Sequence, residues 1–206
     1  MSGDADLAAV GAVLAEPARA KVLLALGDGR SLPASMLAAE AGVAPSTASH
    51  HLARLVDAGL VVAEARGRHR YFSLAGPEVG QLIEAVARVA PSQQVRSLRQ
   101  GTRAHAVRYA RHCYDHLAGR LGVAVADALA SDGERKLEAL GVPQLAARPC
   151  RDWTEQRDHI AGPLGTALLS RFLELEWLVR SEKTRALRVT EAGLKGFPAT
   201  LGVDLR

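Results

Sequence analysis

A mainly helical protein carrying small β-hairpins is the fold class this sequence predicts, and three observations predict it. Of its 206 residues, 48% are apolar but only 4% aromatic, a balance that suits helices packed through aliphatic side chains. Apolar residues recur at helical spacing over most of the chain. Two short strand-like runs on either side of Gly67 interrupt that pattern. The length suits one large or two small domains, each able to bury its own core.

In order along the chain, Leu7 to Ala15 and Pro17 to Leu26 carry the first two helical patterns. Pro17 fits a first helical turn, and Gly27-Asp28-Gly29 ends the second helix. Pro33 to Ala41 reads as a short helix closed by Gly42. After Val43-Ala44 a further helix opens at Pro45 and runs to about Ala58, where Gly59 stops it. Leu60 to Glu64 and Arg70 to Leu74 are strand-like runs flanking a basic loop, Arg66 to His69, as in a β-hairpin. Helix, turn, helix and hairpin in that order describe a winged helix-turn-helix. Beyond Leu74, Val79, Leu82, Ile83, Val86 and Val89 keep one apolar stripe, which Pro91-Ser92 closes. Arg96, Arg99, Arg103, Arg108 and Arg111 then punctuate a second, longer helical stretch expected to reach about Ala130, bent near Gly119 and Gly122. They either lie near DNA or only solubilise that helix. The expected organisation is a winged helix over residues 1–90, a connector helix over 91–131 and a helical C-terminal domain over 132–206.

An internal comparison suggests what that last domain is. Leu55 to Gly76 aligns without gaps on Phe172 to Gly193, placing Arg66-Gly67-Arg68 opposite Lys183-Thr184-Arg185 and Phe72-Ser73 opposite Val189-Thr190. A degenerate second winged helix is expected there. Its would-be recognition helix, Leu164 to Leu175, is mostly apolar, with Thr166, Ser170, Arg171 and Glu174 as its polar members, so a sensing or dimerising role is expected.

Charge distribution says more than the net charge of +4. Residues 1–76 hold 7 basic and 7 acidic side chains, residues 77–120 hold 7 and 3, and residues 121–206 hold 12 and 12. Within the balanced first segment, Arg66-Gly67-Arg68-His69-Arg70 concentrates charge of the kind a phosphate backbone attracts. On the helix from Pro45, Ser46, Thr47, Ser49, His50 and Arg54 form a polar face, while Ala48, Leu52, Leu55 and Val56 can pack inward. Short hydroxyls near a helix N-terminus reach phosphates or base edges in a major groove, and His50 and Arg54 reach further. Arg66, Arg68 and Arg70 are assigned to backbone or minor-groove contact, although alternation along a strand must turn at least one of them away.

The run from Pro45 to Leu55, then Ala58-Gly59-Leu60-Val61 and Arg68-His69-Arg70-Tyr71-Phe72, resembles the ArsR-type winged-helix regulators over roughly residues 7–90. That resemblance implies a homodimer joined through Leu7 to Ala15 and about Pro77 to Val89, and repression of transcription relieved by an effector. The partner expected is double-stranded DNA bearing an inverted repeat, and DNA binding requires no cofactor.

The second half holds His112-Cys113-Tyr114-Asp115-His116, Cys150-Arg151-Asp152-Trp153 and His159. If Tyr109 to Gly119 is helical, Cys113 and His116 share a face. With Cys150 and His159 they are the candidate ligands of a tetrahedral ion such as zinc, although the spacings are not those of a zinc finger. Cys113, His116, Trp153 and His159 are the candidate effector site, the effector being a metal ion, a redox change or a small organic molecule. The alternative for these side chains is a buried structural role. The runs Cys113 to Gly119 and Asp152 to Glu155 resemble those of a subset of long ArsR-type regulators, which marks a location and not a chemistry. Leu37 to Ala41 has no cysteine and the helix after the wing no histidine, so the metal sites of the family's metal sensors are not expected.

Other classes lack support in the sequence. No nucleophile elbow, phosphate-binding glycine loop or helical zinc-protease motif occurs, so an enzyme is not expected, a metal-dependent hydrolase included. A protein-interaction module on the same scaffold is the remaining alternative. The apolar runs fall short of the ~20 residues that cross a bilayer and the start lacks a basic signal region, so a cytoplasmic protein with reduced thiols is expected.

Overall fold

In a computed structural model, which describes residues 4–91, 94, 97–182 and 184–205, the chain forms two compact units, Met1–Ile83 and Glu84–Arg206. The division falls inside the helix that follows the wing. Of the residues singled out above, Ser92, Arg96 and Lys183 lie outside the described residues, as does the side chain of Arg99.

The first unit opens with α1 (Leu7–Leu14) and α2 (Pro17–Leu26), each started by an acidic side chain: Asp6 accepts from the Ala9 amide and Glu16 from the Ala18 amide. Arg19 folds back to donate to the Val13 and Ala12 carbonyls at 2.7 and 3.0 Å, satisfying groups the end of α1 leaves open. Next come β1 (Leu32–Pro33), α3 (Ala34–Ala41), α4 (Pro45–Asp57), β2 (Val61–Arg66) and β3 (His69–Leu74). The two-residue β1 is a strand where the sequence reading opened a helix, because Leu32 and Pro33 pair with Phe72 and Tyr71 and so complete a sheet of order β1-β3-β2. Val22, Leu23, Leu26, Leu37, Leu52, Leu55, Val61, Phe72 and Leu74 form the core beneath that sheet. The expected winged helix-turn-helix is present. After it, α5 (Pro77–Val89) runs across the unit boundary.

The second unit differs from the expectation where an unbroken connector helix was read. Its chain forms α6 (Leu98–Tyr109), β4 (Arg111–Cys113), β5 (His116–Ala118) and α7 (Arg120–Ala130), so Tyr109 to Gly119 is not helical. Two buried strands of three residues turn through Tyr114-Asp115, with Tyr114 in the left-handed region at φ 58. Then follow α8 (Gly133–Leu140), the hairpin of β6 (Arg148–Arg151) and β7 (Asp158–Ala161), α9 (Gly162–Glu174), a last hairpin of β8 (Leu178–Arg180) and β9 (Leu187–Val189), α10 (Glu191–Gly196) and a π turn at Phe197–Leu201. Leu121, Leu140, Leu168, Leu169, Phe172, Leu178, Phe197 and Leu201 fill its core, where Trp177 and Phe197 both pack against the Phe172 ring.

The internal repeat appears in backbone hydrogen bonds. At the end of α4, amides 58, 59 and 60 donate to carbonyls 54, 56 and 55; at the end of α9, amides 175, 176 and 177 donate to 171, 173 and 172. Gly59 has φ 69, and its counterpart Glu176 is held at φ 54. Beyond the turn the ungapped alignment slips by two residues, because Val61 pairs with Leu74 but Leu178 pairs with Val189. Val189 therefore takes the place of Leu74 and not of Phe72. On α9 the counterparts of the exposed α4 residues are partly packed away: Leu164, in the place of Thr47, is buried, and Arg171, in the place of Arg54, donates to the Leu140 carbonyl at 2.7 Å.

Candidate functional site

Two groups of side chains bear on function, one in each unit. In the first, Gly42 at φ 73 makes the turn into α4, and the amides of Gly42 and Val43 close α3 on the Ala38 carbonyl at 2.9 and 3.1 Å. α4 buries Ala48, Leu52 and Leu55, which leaves Ser46, Thr47, Ser49, His50 and Arg54 exposed on its other side. The Ser49 hydroxyl donates to the Pro45 carbonyl at 2.9 Å.

In the wing, Gly67 at φ 61 occupies the first of two turn positions and Arg68 the second, so Arg68 stands at the tip. The register sets Arg66 opposite His69 and Arg70 opposite Ala65, so Arg66 and Arg70 project from opposite faces of the ribbon. Arg66 pairs with Glu64 at 2.6 Å and lies 5.1 Å from the Tyr71 ring centre, whereas Arg70 lies 5.7 Å from that of Phe72. All three arginines are exposed.

In the second unit, two hairpins bring a cysteine and a histidine each to one point. Cys113 faces His116 across β4 and β5, and Cys150 faces His159 across β6 and β7. Their Sγ atoms are 3.9 Å apart and the two Nε2 atoms 3.1 Å apart, and one ligand atom from each of the four residues lies within 4.8 Å of every other. Both thiols are free. Cys113, His116 and His159 are buried and Cys150 half-buried. α7 and α9 press on these hairpins at glycines: a Cβ on Gly122 would stand 2.6 Å from the Leu117 carbonyl oxygen, and one on Gly165 would stand 2.3 Å from that of Ile160.

A second layer fixes the rings. Asp115 Oδ1 accepts from His116 Nδ1 at 2.9 Å, and its other oxygen accepts from Thr166 at 2.9 Å. Asp152 Oδ2 lies 3.4 Å from His159 Nδ1 and accepts from the Gly119 amide at 2.6 Å and from Arg111 at 3.0 Å, while Oδ1 accepts from the Thr154 amide and hydroxyl at 2.9 and 2.7 Å. Arg111, which the sequence reading counted among a row of DNA-proximal or solubilising arginines, is fully buried. It also lies 3.8 Å from Glu84, whose other oxygen accepts from buried Arg185. Trp153 stacks its ring against Arg111 and Arg185, at 4.8 and 5.9 Å, so this expected effector residue contacts the arginines of the second layer.

The ionisation of this site follows from those contacts. Burial alone would raise the Asp152 carboxyl, but the Arg111 charge and the hydrogen bonds from Thr154 and Gly119 override it and hold Asp152 down at about 2. A hydrogen bond shared by Cys113 and Cys150 holds the Cys150 thiol well down, against burial and with help from His116 and His159, and pushes Cys113 up together with burial. Burial favours a neutral His116 ring, yet Asp115 and Cys150 outweigh it and raise its pKa.

Residues 14–63 match a family described as a helix-turn-helix domain. An HTH-type transcriptional regulator of Bacillus subtilis, YdfF, is 40% identical over 223 aligned positions, which cover 97% of this chain and 99% of that one. The regulator CmtR of Mycobacterium tuberculosis is 38% identical over 94 residues, 44% of this chain and 79% of that one. This chain is an ArsR-type winged helix-turn-helix regulator. Membership of the ArsR-type regulators makes it a DNA-binding transcriptional regulator, with α3 and α4 as the helix-turn-helix pair. A solved homodimeric winged helix-turn-helix domain of Mycobacterium bovis, described as a possible ArsR-family regulator, is 32% identical over 42% of this chain and 86% of that one, with a TM-score of 0.37. Among the described residues, no helix of this ArsR-type regulator is long and apolar enough to cross a membrane.

Sequence reasoning named the four Cys and His residues but not the carboxylates, threonine and arginines behind them. The signal available was Asp152-Trp153-Thr154-Glu155, since an aspartate two residues before a threonine commonly closes its own turn.

Proposed function

We propose that the chain is a cytoplasmic homodimeric repressor that reads an inverted repeat and is released by an effector bound in its second unit. The observation that carries this reading is the exposed polar face of α4 beside an exposed basic wing. In this reading Ser46, Thr47, Ser49, His50 and Arg54 enter the major groove, Arg68 at the tip and Arg70 meet flanking phosphates, and Arg66 keeps its pairing with Glu64 until a phosphate competes for it. Two such helices would lie about one helical turn apart on the duplex.

Dimerisation is supported by apolar surface that one chain leaves uncovered. α1 has no buried residue and Leu7 is 79% exposed, while Val89 near the end of α5 is 84% exposed. Residues 1–90 would then form the DNA-binding and dimerisation domain, and the effector would act around Cys113, His116, Trp153 and His159.

The test is fluorescence anisotropy of the full-length protein on its own upstream DNA against scrambled duplex, across a salt series. Tight, selective binding with a steep salt slope is expected. Equal, weak binding to both duplexes would refute the reading in favour of an interaction module.

A further inference from the structure

We propose that Cys113, His116, Cys150 and His159 bind one divalent cation of the zinc class as a closed tetrahedral centre, and that this cation is the effector. The second half of that statement rests on the effector-released regulator proposed above; the first half stands on geometry alone.

Two of the six ligand separations match tetrahedron edges, and all six lie within 4.8 Å. With Zn–S near 2.3 Å and Zn–N near 2.05 Å, the S–S and N–N edges of a regular site are about 3.8 and 3.3 Å; the corresponding separations here are 3.9 and 3.1 Å. The histidine rings are poised for the same task. His116 Nδ1 is bonded to Asp115 at 2.9 Å and His159 Nδ1 lies 3.4 Å from Asp152, while the two Nε2 atoms face each other across 3.1 Å, a place that a cation can take instead of a shared proton. A carboxylate behind each ligating histidine is the usual outer layer of a zinc site, fixing tautomer and ring direction. Two thiolates balance the +2 charge, so binding releases thiol protons to solvent. Four protein ligands leave no open position, which makes the centre a sensor or a brace and not a hydrolytic site.

The same outer layer leads away from the centre in one direction. His159 contacts Asp152, Asp152 binds Arg111, and Arg111 faces Glu84, which sits on α5 where the second unit begins. A ligand that pins His159 therefore acts through buried ionic contacts on the helix whose exposed stripe was assigned above to the dimer.

The experiment is a Co2+ titration of reduced, chelator-treated full-length protein, followed by Zn2+ displacement. Saturation at one equivalent is expected, with the intense d–d absorption of a tetrahedral site and a thiolate charge-transfer band. Cys150→Ser and His159→Ala should abolish both signals, and Asp115→Asn should weaken binding about 10- to 100-fold. Absence of saturable binding in the wild type, or signals unchanged in Cys150→Ser, would overturn the centre; so would oxidation to a disulfide as the only chemistry of the thiols. Anisotropy on the upstream duplex, metal-free against Zn2+-loaded, then separates the two halves. An affinity change of at least about tenfold supports the effector role, and equal selective binding in both states overturns it. Stoichiometric metal without selective DNA binding in either state would instead overturn the regulator reading and leave the centre standing.

Discussion

Replacing Arg111 by methionine removes a cation from the most enclosed ionic group in the protein. Arg111 is fully buried, binds Asp152 at 3.0 Å, Thr154 at 3.3 Å and faces Glu84 at 3.8 Å. Taking one partner from a buried ion pair costs about 3–5 kcal/mol, because the remaining charge keeps its desolvation penalty. Asp152 retains the Gly119 and Thr154 amides and the Thr154 hydroxyl, and Glu84 retains Arg185, so the lower figure of about 3 kcal/mol applies here. At roughly 2.1 cal/mol/K per residue, the unit Glu84–Arg206 unfolds with an entropy of about 0.26 kcal/mol/K, and Tm should fall by about 12 °C. The assay is scanning calorimetry of the metal-free protein, with Arg111→Met/Asp152→Asn alongside. The double variant strands no charge at Asp152 and should regain part of the loss. A fall below about 4 °C for Arg111→Met, equivalent to about 1 kcal/mol, would refute the account of a buried, mutually dependent pair.

Other consequences are as direct. Arg54→Ala should weaken operator binding by about 1–3 kcal/mol, read by anisotropy with an unchanged far-UV spectrum; unaltered affinity would remove Arg54 from the interface. Arg68→Ala should weaken binding to operator and scrambled duplex alike and reduce the salt slope by about 1, whereas an effect on operator alone would mean base readout by the wing. Val89→Asp places a charge on the exposed stripe of α5 and should shift sedimentation toward monomer, and an unshifted dimer would relocate the interface. Gly165→Ala sets a Cβ 2.3 Å from the Ile160 carbonyl oxygen, so α9 must move, at about 1–3 kcal/mol in chemical denaturation; a neutral result would mean that the helix has room.

How much of this was legible in the sequence depends on the length of the signal. α2, α4 and the wing were found because each joins a long apolar period to a marked end, Pro17, Gly59 and Gly67. β1 was missed because two residues carry no period, and its pairing with β3 is fixed only by tertiary packing. The hairpin from Arg111 to Ala118 was read as helix for a more instructive reason. A three-residue separation places Cys113 and His116 on one helical face, but it equally places them across a two-residue β-turn. Either reading brings the two side chains together, so proximity was predicted correctly from the wrong element. The turn gave no help, since Tyr114 takes a left-handed conformation usually marked by glycine or asparagine. The end of α9 was placed correctly, but the two-residue shortening of the last hairpin displaces every later pair of the internal alignment.

Cross-strand placement of each cysteine with its histidine has a mechanical consequence. Within each hairpin, the backbone ladder sets the spacing of the two donors; between the hairpins, no ladder bond among the described residues links β4 or β5 to β6 or β7. The four donors are thus carried on two separately hydrogen-bonded pieces, and the spacing between those pieces is set by side-chain packing. Gly122 and Gly165 lie where the two hairpins meet, since a Cβ there would stand 3.6 Å from the His159 Cβ and 3.1 Å from the His116 Cβ, so a substitution at either bears on the spacing of the quartet.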